Sequence, residues 1–206
     1  MISIIGAGPA GSYLAYCLAK QGFDVSLYEE HDKIGVPVQC TGIVTKALFD
    51  LLPLDKEYLV NKLSQVSVVS PDNNSVNIKL DEYVIDRALF DPHIAKKAVS
   101  AGAQVFTSHQ FTGIENNSLV FRHKNEKVSK KTDILVGADG PNSHVAKATG
   151  IYGNRSFYVG VQATVEGSFD SSTFTTYFGN VCPGFFGWIV PESNSFARAG
   201  IAMTKN

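Results

Sequence analysis

The segment Gly6-Ala7-Gly8-Pro9-Ala10-Gly11 places three glycines at a spacing suited to a phosphate group. It follows the β-branched apolar run Ile2 to Ile5 and precedes Tyr13, Leu14, Cys17 and Leu18, which recur at helical spacing up to a stop at Gly22. In that context each glycine has a separate duty. Gly6 permits a tight turn, Gly8 lets backbone approach a pyrophosphate, and Gly11 lets helix and strand pack closely. A helix opening at Pro9 and Ala10 then offers its unpaired N–H groups and the positive end of its dipole to the anion. Val25 to Tyr28 reads as the strand that completes a βαβ unit, and Glu29 at its end stands where a carboxylate accepts hydrogen bonds from ribose hydroxyls. Strand alternation makes Glu29 the end of the buried face and leaves Glu30 in solvent. An acidic residue here favours an unphosphorylated ribose, hence FAD or NAD over NADP.

Other chemistries find little support. Cys17, Cys40 and Cys182 are odd in number and far apart, which fits a reducing, cytoplasmic setting and gives neither a disulfide framework nor a CxxC pair. The five histidines show no metal-ligand or triad spacing, so no metal site is expected, and neither GxSxG nor HExxH occurs. With 18 Lys+Arg against 19 Asp+Glu, a net charge of −1 and no basic run, nucleic acid is not an expected partner. Nothing ahead of Lys20 is charged, yet Gly6, Gly8, Pro9 and Gly11 interrupt the apolar stretch and no basic residue precedes it, so a signal peptide or membrane anchor is not expected.

The elements that must position these residues follow from local patterns. Residues 31 to 45 read as a loop broken by Gly35, Pro37 and Gly42. Gln65 to Ser70 and Ser75 to Leu80 form a hairpin around Pro71-Asp72-Asn73-Asn74. A helix spans about Arg87 to Ala101 and stops at Gly102. Val105 to Ile114, Ser118 to His123 and Lys127 to Ser129 make an antiparallel meander. Ile134 to Val136 returns as a buried strand, with a short helix after Asn142. Four candidate strands without a helix follow Ser156. The pattern predicts an α/β chain: a Rossmann-like nucleotide domain over 1–150 carrying the hairpin and meander as inserts, then a mostly antiparallel β-sheet domain over 151–206.

A second motif, Gly137-Ala138-Asp139-Gly140-Pro141-Asn142-Ser143, narrows the reading. Taken with the first glycine motif, Glu29 and Val84-Ile85-Asp86-Arg87-Ala88-Leu89-Phe90-Asp91, it resembles the flavoprotein group that includes para-hydroxybenzoate hydroxylase. That resemblance implies FAD, with Asp139 and Gly140 at the ribityl chain, Arg87 at the cofactor, and the backbone of Phe111 at the adenine. Without it, Asp139 would read as a turn residue ahead of a helix and Arg87 as a solvated helix start. Within the group, Pro37-Val38-Gln39-Cys40-Thr41-Gly42 is similar to the PxxCxG loop of the geranylgeranyl reductase family. Phe186-Gly187-Trp188-Ile189-Val190-Pro191, followed by Gly200-Ile201-Ala202, is similar to that family's YxWxFP…GxG segment. Phe186, Val190 and Ala202 depart from it, keeping apolar character but removing a hydroxyl.

The resemblance implies an FAD-dependent oxidoreductase that saturates double bonds of isoprenoid or lipid-linked chains. Cys40, Thr41 and Gly42 would then lie at the flavin, with the Cys40 thiol the candidate catalytic group, and Phe186, Trp188 and Pro191 at the substrate. It further implies NAD(P)H or a ferredoxin-type protein as electron donor, and peripheral contact with a membrane surface. An aromatic monooxygenase of the same fold and a non-catalytic flavin-binding fragment are the alternatives. The resembling flavoproteins carry a further Gly-Asp motif that nothing after residue 150 supplies, so the chain is expected to be the amino-terminal part of a larger flavoenzyme.

Overall fold

A computed structural model describes residues 1–204. Along the chain run β1 (Ile2–Ile5), α1 (Pro9–Lys20), β2 (Val25–Tyr28), β3 (Ile43–Thr45), α2 (Leu48–Leu51), β4 (Leu59–Val69) and β5 (Ser75–Ile85). They are followed by α3 (Arg87–Ser100), β6 (Gln104–Phe106), β7 (His109–Glu115), β8 (Ser118–His123), β9 (Glu126–Lys130), β10 (Ile134–Gly137) and α4 (His144–Ala148). The last strands are β11 (Tyr158–Glu166), β12 (Thr173–Tyr177), β13 (Gly187–Pro191) and β14 (Phe196–Thr204). The elements fall into two compact units, 1–39 with 87–154 and 40–86 with 155–206.

The first unit is built on a parallel sheet in the order β10-β1-β2-β6. β1 and β2 are buried at every position, as strands covered on both faces must be. Their alternation divides the core in two. Ile2, Ile4, Val25 and Leu27 pack against Ala15 and Ala19 of α1 and Ala98 of α3, small residues that let the helices lie close to the sheet. Ile5 and Tyr28 face Phe111, Leu119 and Phe121 of the small antiparallel sheet β7-β8-β9, together with Val145. Tyr28 stacks on Phe121 at 4.4 Å between ring centroids and on Phe106 at 5.0 Å, and burial pushes its phenol above the ordinary tyrosine value.

The single strand expected over 105–114 is two strands. Ser108, a non-glycine residue at φ 57°, breaks the run, so β6 completes the parallel sheet while β7 opens the meander. The break is held by Ser108 N–H donating to His31 O and His109 N–H to Glu29 O, both at 2.8 Å.

The second unit is a seven-stranded sheet in the order β11-β14-β13-β12-β4-β5-β3. It corrects the expected domain plan: the β4–β5 hairpin, placed by sequence inside the first domain, pairs through β4 in parallel with β12, from Gln65↔Thr173 to Val69↔Tyr177. An isolated hairpin is marginal in water, and this pairing together with the Leu63, Val84 and Val190 cluster gives it a core. The loop expected up to residue 45 also ends early, since Ile43 to Thr45 adds β3 beside β5. Among the described residues no helix is long and apolar enough to cross a membrane.

Phe121 is fully buried and joins the meander to the parallel sheet, so Phe121→Ala is expected to cost about 3–5 kcal/mol. Leu63→Ala, at an equally buried position of the second unit, should cost about 2–5 kcal/mol. Urea unfolding of the two variants against the parent chain measures both.

Candidate functional site

The carboxyl ends of β1, β2 and β10 open into a cavity of about 620 Å³ within the first unit. Its place follows from topology, because the chain leaves β1 toward β2 on one side while β10 pairs on the other, and a crevice opens where strand order reverses. Gly6, Gly8, Pro9, Ala10 and Glu29 form one wall. Ala138, Asp139 and Gly140 form a second, and Arg87 and Phe111 complete it among the residues expected from sequence.

The three glycines behave differently. Gly6 sits at φ 99°, and a Cβ there would run into the Ala138 carbonyl. A Cβ on Gly11 would strike the Gly6 carbonyl oxygen and come within 3.2 Å of the Ala138 methyl, and Gly11 does not line the cavity, so its role is packing rather than contact. A Cβ on Gly8 would meet nothing within 4 Å. Gly8 is the N-cap of α1 and has no side chain to satisfy the first N–H groups, while Pro9-Ala10-Gly11 puts no acidic residue in the first turn. The positive end of a 12-residue helix is therefore left uncompensated beside open space.

Glu29 is buried and closes this wall. Its Oε2 accepts Ala7 N–H at 2.9 Å, and its Oε1 accepts His31 N–H at 3.1 Å and contacts His31 Nδ1 at 2.6 Å. The carboxylate thus pins the glycine turn to the end of β2, and Oε2 keeps a further lone pair for a hydroxyl donor. Glu30 is exposed, accepting from Gln110 Nε2 at 3.0 Å at the cavity edge.

Asp139 serves α4 directly. Its Oδ1 accepts Ser143 Oγ–H at 2.6 Å and its Oδ2 accepts Val145 N–H at 3.0 Å, while Ser143 Oγ accepts Ala146 N–H at 2.9 Å. These bonds fix the carboxylate in the cavity wall. Arg87 Nε and Nη2 donate to the two oxygens of buried Asp91 at 2.6 and 2.8 Å, one turn on, which orients the guanidinium. A smaller cavity of about 270 Å³ adjoins Arg87 and is lined by Gly35 to Gln39. Phe111 also lines the cavity, and its ring is buried edge-on to Phe121. Gln39, His109 and His144 also line it; Gln39 is an unspecified position of the loop motif over 37–42, and the two histidines carried no sequence signal.

The remaining candidates belong to the second unit. Cys40 is half-buried, with its Sγ accepting Gly42 N–H at 3.4 Å. Gly42 needs its φ of 79° and would clash with the Ile85 carbonyl if it carried a Cβ. Trp188 lines an apolar cavity of about 470 Å³ with Val161, Tyr177, Val181, Ile189 and Ile201. Its indole N–H donates to Gln162 Oε1 at 3.0 Å, and its ring lies where a Gly200 Cβ would be, 2.6 Å from the indole Cε2. Phe186 stands beside Trp188, stacked on Phe185 at 4.3 Å. Pro191, also expected at the substrate, is fully buried in β13 opposite Ala197, with its carbonyl accepting Asn61 Nδ2, and does not line this cavity.

Comparison with known proteins agrees with this architecture. Residues 4–51 match the family of NAD(P)-binding Rossmann-like domains. A geranylgeranyl bacteriochlorophyll reductase-like protein from Thermoplasma acidophilum superposes with a TM-score of 0.89 at 24% identity, over 98% of this chain and 56% of the other. A flavin-dependent brominase superposes with a TM-score of 0.79 at 20% identity, over 99% of this chain and 57% of its own. Those likenesses establish the fold. Digeranylgeranylglycerophospholipid reductase 1 of Methanococcoides burtonii is 31% identical over 97% of this chain and 53% of its own length. The chain is thus a homologue of the curated digeranylgeranylglycerophospholipid reductases, matched over nearly all of its own length and spanning about half of theirs.

Proposed function

We propose that the first unit binds FAD and that the chain contributes to a flavin-dependent oxidoreductase that saturates isoprenoid double bonds, as its reductase-named relatives suggest. The observation that carries the cofactor assignment is the open position at Gly8, where an uncapped helix N-terminus meets a cavity at the carboxyl ends of parallel strands. A diphosphate fits there because backbone N–H groups and the helix dipole meet its charge without an intervening side chain. Glu29 Oε2 accepts a ribose hydroxyl. Asp139, already fixed by Ser143 and Val145, takes a ribityl hydroxyl, and Gly140 lets the chain pass close by. Arg87, oriented by Asp91, meets the cofactor's polar edge. When bound, reduced FAD supplies the hydride.

The second unit supplies the apolar surroundings. Isolated alkenes are poor electrophiles, so the protein must hold them in place and keep water out. Trp188 and Phe186, with the aliphatic lining of the Trp188 cavity, suit a polyprenyl chain of a lipid-linked substrate. Thr41 and Gly42 are assigned to the flavin, with Cys40 as the candidate proton donor or ring-packing thiol. NAD(P)H or a ferredoxin-type protein is the proposed electron donor, and the lipid substrate implies peripheral membrane contact in a cytoplasmic setting.

The purified chain is expected to show flavin absorbance that dithionite bleaches and an allylic or polyprenyl substrate restores. Hydroxylated product with substrate-stimulated NAD(P)H oxidation would select the aromatic monooxygenase reading instead. Bound flavin without turnover would leave the chain a flavin-binding module.

Two glycine variants separate binding from folding. Gly8→Glu introduces a carboxylate at the phosphate position and should weaken FAD at least about 100-fold, since like-charge contacts cost several kcal/mol. Stability should stay within about 1 kcal/mol, because nothing surrounds the new side chain. Gly11→Ala should destabilise the fold by about 1–3 kcal/mol through its collision with the Gly6 carbonyl. Flavin titration alongside urea unfolding tests the pair, and full flavin affinity in Gly8→Glu would sink the assigned site.

A further inference from the structure

Arg198, in β14, is a buried cation at 7% exposure that no sequence motif marked. Its Nε and Nη2 reach Glu192 Oε1 at 2.7 and 2.6 Å, and its Nη1 donates to Thr41 O at 2.7 Å and to Ile85 O at 3.2 Å. Gly42 leaves room for this approach, since a Cβ there would sit 2.7 Å from Arg198 Nη1. The carbonyls of the neighbouring residues are also taken: Gln162 Nε2 donates to Cys40 O at 3.5 Å, and Ile85 N–H donates to Gly42 O at 2.9 Å. Every carbonyl of Cys40-Thr41-Gly42 is therefore held, with the one charged donor at the centre. A buried ion pair adds little net stability against an apolar replacement of similar volume. Its distinctive effect here is geometric: a planar guanidinium, locked by Glu192, fixes two backbone carbonyls at once.

We propose that Arg198, oriented by Glu192, is a positioning residue that fixes the conformation of the Cys40-Thr41-Gly42 loop and thereby the thiol and backbone it presents to the flavin. The functional half of this proposal rests on the reading of that loop as a flavin contact; the clamp itself rests on the hydrogen bonds alone.

Amide hydrogen exchange and Cys40 alkylation by iodoacetamide, both read by peptide mass spectrometry, test the clamp in the full chain. In Arg198→Met the Ile85 amide and the peptide spanning residues 39–45 should exchange about tenfold faster, while the amides of β13 keep their protection. Cys40 should alkylate faster in step. Arg198→Lys should recover part of the protection, because an ammonium can donate to one carbonyl but cannot reproduce the fork. Glu192→Gln, which retains the guanidinium, should fall between parent and Arg198→Met. It also carries the comparison if Arg198→Met does not fold.

Exchange that rises uniformly through β13 and β14, or a 39–45 peptide that stays protected in these variants, would overturn the clamp. Flavin titration of the same proteins separates the two readings. Weaker flavin binding in Arg198→Met than in the parent supports the functional half, and unchanged affinity with a loosened loop overturns it. A parent chain that binds no FAD, with the loop still loosened on substitution, leaves the clamp standing and rejects the flavin reading.

Discussion

At the mouth of the cavity in the first unit, backbone meets backbone: a Cβ on Gly11 would strike the Gly6 carbonyl, and one on Gly6 would strike the Ala138 carbonyl. No side chain fits between these segments, so α1, the end of β1 and the end of β10 are held at a separation set by main-chain atoms. The sheet register makes this meeting unavoidable. Ile5 pairs with Tyr28 on one side and Gly137 on the other, so Gly6, Glu29 and Ala138 leave the sheet at the same level. Two motifs distant in sequence and the carboxylate between them converge because three parallel strands end together.

That convergence explains why the polar residues of the cavity can also be structural. Asp139 caps α4 through Ser143 and Val145, Glu29 ties the glycine turn to His31, and Arg87 is forked onto Asp91. Each side chain is ordered on folding, which removes most of the rotamer entropy that a ligand would otherwise have to overcome. The turn-residue reading of Asp139 and the cofactor reading are therefore compatible. A local cap is what holds the carboxylate still enough to serve as a wall.

What was legible in the sequence was what is local. The βαβ unit could be read because apolar runs, a glycine turn and a helix stop succeed one another within one segment, and Gly22 does adopt the positive φ expected of such a stop. The sheet membership of the β4–β5 hairpin was not legible, because it depends on the register of Gln65 to Val69 with a strand far along the chain. The break at Ser108 was hidden because serine seldom adopts positive φ without a tertiary reason, here the bonds to His31 and Glu29. Arg198 was invisible for a related reason: apart from Glu192, its partners are the carbonyl oxygens of Thr41 and Ile85, and a carbonyl leaves no mark in a sequence.

The second unit shows how a departure from a motif can be absorbed across a sheet. Ala202 stands where the similar reductase segment carries a second glycine, and it is buried. Opposite it in β11 is Gly160, whose own Cβ would lie 3.3 Å from the Ala202 methyl and 3.7 Å from the Trp188 ring. A side chain on both strands would press one Cβ against the other, while the indole itself would stay at ordinary van der Waals distance. Gly200 cannot make the same exchange, because the Trp188 ring already covers the position its Cβ would need. The constraint in this segment is thus the flat seat of one indole rather than a pair of glycines as such. The residue that must stay without a side chain is Gly200, whose Cβ would meet both the indole and the Val161 carbonyl.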